Sequence, residues 1–156
     1  MLLVDVRDLR HGPVETRGTI VPGDPLLEGL ALELATPLEV AGRLQATAEG
    51  EYFWKGRVWG EVLGSCRRCL SPLTLPVDAE VGVMFSADPD VQEDPDVFPL
   101  PAPASAIDLG QAVREELALT VEAFPLCRED CAGLCPKCGA DLNAGPCAHA
   151  QGSDIT

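Results

Sequence analysis

The chain has 156 residues, 46% of them hydrophobic, which suits one domain with a small appended module and excludes wholesale disorder. Eleven Lys and Arg against 25 Asp and Glu leave a net charge of −14, which excludes a protein that coats phosphate backbones generically but leaves room for a local basic patch. The imbalance sits mainly in residues 86–156, with 3 basic and 13 acidic side chains, so a surface for a polyanion belongs to the near-neutral stretch 37–85.

Residues 1–36 carry two candidate strands, Leu2 to Val6 and Thr16 to Val21. Leu26 to Leu34 reads as a strand or a short helical turn, and Pro22, Pro25 and Pro37 punctuate the segment. From Leu38 to Ala48 apolar and polar residues alternate, the signature of a half-buried strand. The alternation resumes after Glu49-Gly50-Glu51, with Tyr52, Trp54, Val58 and Val62 on one face and Phe53, Lys55, Arg57, Trp59 and Glu61 on the other. A three-residue loop at 49–51 would set Ala48 opposite Tyr52, Gly42 opposite Val58 and Arg43 opposite Arg57. A third strand follows, with Val77, Ala79, Val81, Val83 and Phe85 on its apolar side. The expected body is an antiparallel β-meander with one wet face, and Ser65 to Pro72 connects its second and third strands.

Residues 86–105 hold five acidic side chains, five prolines and no base, which reads as a loop. Helix is expected over 108–123, with Asp108 as its cap, Gln111 returning the bond, and Leu109, Ala112, Val113, Leu117 and Val121 as its apolar stripe. The predicted class is α+β: a β-rich body over 1–124 and a cysteine-rich tail over 125–150.

The tail reads C-R-E-D-C-A-G-L-C-P-K-C-G-A-D-L-N-A-G-P-C from Cys127 to Cys147. No stretch resembles a signal peptide or a membrane span, so a cytosolic protein with reduced thiols is expected, and clustered thiols there read as metal ligands before disulfides. In Cys135-Pro136-Lys137-Cys138-Gly139 a tight turn converges two thiolates on one ion, the proline fixing a backbone angle and the glycine letting the chain reverse. Four thiolates around Zn²⁺ would make a closed structural site without hydrolytic chemistry. Cys127, Cys131, Cys135 and Cys138 form one candidate set. A set using Cys147 is the other, with His149 in reserve. A short tail needs such a staple, so metal loss should melt about residues 127–150 and spare the meander.

Cys66-Arg67-Arg68-Cys69 is a second thiol pair with three readings: a stiff turn presenting its arginines, two metal ligands, or a redox pair. The aromatic and cationic face formed by Arg43, Phe53, Lys55, Arg57 and Trp59, joined by Arg67 and Arg68, suits unpaired bases or another anionic partner, although a solvated sheet face explains it too. His11 and His149 lack catalytic partners, and there is no phosphate-binding glycine loop.

Taken together, S-C-R-R-C-L at Ser65 to Leu70, the acidic loop, the D-L-x-x-x-V-x-E-E-L-x-L helix and the C-x-x-x-C-x-G-L-C-P-x-C-G-x-D-L-N ending resemble the YceD family of bacteria, with relatives in plastids, over roughly residues 37–147. The resemblance implies a non-enzymatic, cytoplasmic role in accumulating large-subunit ribosomal RNA, with precursor RNA or ribosomal proteins as partners and no membrane or small-molecule substrate. Members of that family do not all keep the cysteine tail, which makes the metal an accessory. Two other readings are an acidic adaptor that shields a basic ribosomal protein and a thiol-redox protein using Cys66 or Cys69.

Overall fold

The computed structural model describes residues 2–121 and 124–149. The chain is mostly β-sheet with one α-helix, the α+β class expected. In order, the elements are β1 (Leu3–Asp5), a 3₁₀ turn at Val6–His11, β2 (Val14–Ile20), a 3₁₀ turn at Pro25–Leu27, β3 (Glu33–Leu34), β4 (Leu38–Ala48), β5 (Glu51–Ser65), β6 (Pro72–Ser86), β7 (Val97–Pro99), β8 (Ala106–Asp108) and α1 (Gly110–Thr120). The main sheet runs β2-β4-β5-β6-β7, with β3 also pairing β5, so the meander is the consecutive run β4-β5-β6. A separate ribbon pairs β1 antiparallel with β8.

Contacts divide the chain into two compact units, 1–62 with 76–121, and 63–75 with 122–156. The connection after β5 therefore groups with the cysteine-rich end of the chain, although more than fifty residues separate them in sequence.

In the first unit the expected alternation decides which face is dry. Leu38, Val40 and Leu44 of β4, Trp54, Val58 and Val62 of β5 and Val77, Val81 and Phe85 of β6 are buried, while Glu39, Arg43, Lys55, Arg57, Asp78 and Glu80 are exposed. Trp54 is fully buried and donates its indole N–H to the Thr16 hydroxyl at 2.9 Å, so the ring enters the core without an unpaired donor. It lies over the directly paired Gly42 and Gly56, where any Cβ would collide with the indole.

Three expectations need correction. First, β4 and β5 pair Gly42 with Gly56 and Arg43 with Lys55, two residues out of the expected register: the turn is one residue shorter than expected, pairing Ala48 with Glu51, and the chain bulges between Ala46 and Ala48. Second, the stretch after Ser86 is more than a loop. Gln92 Nε2 donates to the Ser86 and Leu100 carbonyls at 2.8 and 3.0 Å, and β7 then adds parallel to β6, with Phe98 5.4 Å from Phe85. Third, the helix covers Gly110–Thr120 and has no capping box: Asp108 accepts from Gly110 N at 2.8 Å, but Gln111 turns to Glu115. Residues 122 and 123 of the expected helix lie outside the described residues. The apolar stripe is as read from Leu109 to Leu117, with Leu109, Ala112, Val113 and Leu117 buried, but Val121 is the extended, half-buried residue that ends the helix.

Candidate metal centres

All seven thiols are free, and all lie in the second unit. They fall into two groups whose ligand atoms lie within 4.8 Å of one another: Cys66, Cys69, Cys127 and Cys131, and Cys135, Cys138, Cys147 and His149. Each group could hold a metal ion. The single set Cys127, Cys131, Cys135 and Cys138 is not the arrangement found: its two halves go to different groups, and Cys66 and Cys69 complete the first.

Each group is headed by the same turn. In the first, Leu70 N donates to the Cys66 carbonyl at 2.9 Å and Cys66 N to the Ser71 carbonyl at 2.9 Å. In the second, Gly139 N donates to the Cys135 carbonyl at 2.9 Å and Cys135 N to the Ala140 carbonyl at 2.8 Å. The residue after the second cysteine is left-handed in both, with φ of 64° at Leu70 and 75° at Gly139. Glycine adopts that conformation freely; Leu70 is the one non-glycine residue at positive φ among the described residues. Arg67 and Arg68 thus replace Pro136 and Lys137 in a repeated turn, which is why Cys66-x-x-Cys69 is so easily read as something else.

Two sulfur pairs of the first group are spaced as the edges of a tetrahedral thiolate site. Cys66 Sγ lies 3.6 Å from Cys131 Sγ, and Cys69 Sγ lies 3.7 Å from Cys127 Sγ. A tetrahedron with Zn–S bonds of about 2.3 Å has edges of about 3.8 Å. Cys66, Cys69 and Cys131 are buried, packed with Leu73, Leu126 and Leu134. The surrounding amides favour charged sulfur. The Cys69 N–H, against the opposing pull of burial, and then those of Cys127 and Arg68, hold Cys66 down to about 5. The Asn143 side chain, donating to Cys131 Sγ at 3.3 Å, lowers Cys131. Loss of water around its sulfur, together with Cys131, Cys69 and Cys66 beside it, pushes Cys127 up to about 12. Four sulfurs this close cannot all ionise without a cation among them. Arg68 braces the site by donating to the Cys131 carbonyl at 3.0 Å.

In the second group only Cys135 is buried; Cys147 is half-buried and Cys138 and His149 are exposed. The Cys138 and Lys137 N–H groups bring Cys135 down to about 6. Three sulfurs and an imidazole are a donor set that suits Zn²⁺.

The residues expected to face an anionic partner divide between the units. Arg43, Phe53, Lys55, Arg57 and Trp59 belong to the first, with Arg43 directly opposite Lys55. Arg57 is already engaged there, paired with Asp78 at 2.7 and 2.8 Å and stacked 5.4 Å from the Trp59 ring centre. Arg67 and Arg68 belong to the second unit, where Arg67 lies over the exposed Phe124 ring. Sequence reasoning missed Asn143, whose role shows only once Cys131 is placed beside it.

Among the described residues no helix is long and apolar enough to cross a membrane. A model of the family described as large ribosomal RNA subunit accumulation protein YceD matches residues 54–154. Uncharacterized proteins of Mycobacterium tuberculosis and Mycobacterium bovis are each 32% identical over 124 residues, 77% of this chain and 58% of theirs. An uncharacterized protein of Mycobacterium leprae is 27% identical over 124 residues, 77% of this chain and 56% of its own. The chain thus spans under two thirds of the length of these relatives. No solved structure matches. The family match takes in most of the chain, including every thiol described above, and on it the chain belongs to the YceD family.

Proposed function

We propose that this protein is a non-enzymatic, cytoplasmic factor of ribosome biogenesis that supports accumulation of large-subunit ribosomal RNA by binding precursor RNA or an assembling ribosomal protein. The observation that carries this reading is the family match over residues 54–154, whose description names that RNA. Zinc, held as a structural ion by the two thiol groups, would keep the second unit folded and supply no reaction, since four protein ligands leave no position for water.

The contact surface proposed in the first unit is the wet face of the meander. Arg43 and Lys55 lie directly opposite each other, and although Glu15 on the neighbouring β2 lies 3.9 Å from Arg43, the like-charge contact with Lys55 is a cost that an anionic partner would offset further. Trp59, 36% exposed, offers a ring for stacking. The test is co-sedimentation with large-subunit precursors of a variant carrying Arg43→Glu and Lys55→Glu. Because Arg43→Glu also faces Glu15 on β2, the fold of the variant is checked by circular dichroism and a charge-neutral Arg43→Gln, Lys55→Gln variant is run beside it. The expected result is a folded protein that no longer co-sediments; unchanged co-sedimentation removes this face from the account.

A second reading has one observation in its favour, the 13 acidic side chains of residues 86–156: an acidic adaptor that shields a basic ribosomal protein. Salt-sensitive binding to isolated ribosomal proteins without binding to RNA would select it. A redox role has less support, because Cys66 is fully buried and Cys69 7% exposed, out of reach of a partner disulfide.

A further inference from the structure

The two thiol groups are unequal, and one residue joins them. Half of the first group is tethered from both sides: Cys66 and Cys69 lie on a short connection between two paired strands of 15 residues each, which keeps the two thiols near each other even when the turn itself loosens. The second group is prepared only as far as the Cys135–Cys138 turn. Its other two ligands, Cys147 and His149, come from a segment with no strand or helix of its own.

That segment is tied where it leaves the Cys135–Cys138 turn, by the Leu134–Asp141 bridge and the Cys135 N–H to the Ala140 carbonyl, and again just beyond, at a tie that leads to the first group. Asn143 donates from Nδ2 to Cys131 Sγ at 3.3 Å, and its Oδ1 accepts from Ala132 N at 2.8 Å and from Arg128 Nη2 at 2.7 Å. Beside it, Leu142 N donates to the Gly133 carbonyl at 2.9 Å. These bonds fasten residues 142–143 to the stretch 131–133, which is fixed in turn when Cys131 holds an ion. Cys147 is then only four residues from an anchored point, and the entropy of bringing it and His149 to Cys135 and Cys138 falls accordingly. Among the described residues no comparable bond makes the first group depend on Cys147 or His149.

We propose that the chain holds two zinc ions of different standing, loaded in order: a tight ion on Cys66, Cys69, Cys127 and Cys131, then an exchangeable ion on Cys135, Cys138, Cys147 and His149, with Asn143 coupling the second to the first. This deepens the structural-zinc reading and rests on it. Burial supports the same ranking, because three of the four ligands of the first group are buried and only one of the second. A chelator or a competing zinc protein reaches the second ion first, so that ion reports zinc supply while the first maintains the fold. Coupling of this kind is reciprocal: the second ion also tightens the first, by the same factor.

The experiment is a Co²⁺ titration of the reduced, metal-stripped full chain, read by its thiolate-to-cobalt and d–d absorption, with zinc counted by native mass spectrometry. Wild type is expected to take two equivalents in two phases, a four-sulfur spectrum first and a three-sulfur, one-nitrogen spectrum second. C147S should keep the first phase and lose the second. C66S retains every ligand of the second group, yet should bind there about ten-fold or more weakly. N143A should keep both spectra, weaken the first phase by about 10–100-fold through loss of the outer hydrogen bond to Cys131, and weaken the second phase by about 5–150-fold through loss of the coupling. Wild-type affinity at the second group in both C66S and N143A overturns the coupling, and one equivalent in wild type overturns the second ion. Zero equivalents overturns the zinc reading itself, a different failure.

Discussion

At the scale of single residues, the hydrogen bond of Trp54 to Thr16 and the glycines beneath the indole define the centre of the first unit. Gly56→Ala places a methyl group into that ring and is expected to cost about 1–3 kcal/mol, measured by urea denaturation with an unchanged m-value. The pattern of apolar residues made Trp54 legible as core, but the need for Gly42 and Gly56 was not, because it arises only when β4 and β5 pair them. Asp5 gives a pH-dependent prediction. The side chain of Arg7, 2.6 Å away, brings its carboxyl from 3.8 down to about 2. Whatever stability this exposed pair contributes is therefore present above pH 3.8 and disappears as pH falls through about 2. NMR titration should place the Asp5 midpoint near 2, and Arg7→Ala should raise it only in part, because the backbone N–H of residue 7 still donates to the carboxylate.

At the scale of elements, two turns with the same hydrogen bonds organise the thiols. Gly139 is left-handed, with nothing within 4 Å of where a Cβ would lie, so Gly139→Ala isolates the backbone cost. That cost is about 1–2 kcal/mol, to be seen as weaker metal retention or a lower melting temperature of the second unit. The strands and the dry face of the meander were legible because a period of two survives any register. The register was not, since a bulge at 46–48 depends on how the strands twist together. The missing capping box has a similar cause: Asp108 is already committed to β8, so the helix starts after it. Of the ligand sets left open by the sequence, the one confined to Cys127–Cys138 rested on proximity in sequence, whereas Cys69 and Cys127, 58 residues apart, lie together in the structure, and Cys147 and His149 join Cys135 and Cys138.

At the scale of the whole molecule, that regrouping alters what metal loss should do. The connection between β5 and β6 carries half of the first centre, so chelation should unfold residues 63–75 together with 124–149, rather than the tail alone. Hydrogen exchange should show both segments losing protection while β4 and the buried half of β5 keep theirs. Protection retained at 63–75 after complete zinc removal would mean that this turn stands without an ion. The most direct measurement of the central claim, that Cys66, Cys69, Cys127 and Cys131 share one ion, is a proton–cadmium correlation NMR spectrum of protein loaded with ¹¹³Cd²⁺ in place of zinc. One cadmium resonance should correlate with the β-protons of those four cysteines, and a second with Cys135, Cys138 and Cys147. A single cadmium coupled to Cys127, Cys131, Cys135 and Cys138 together would contradict it.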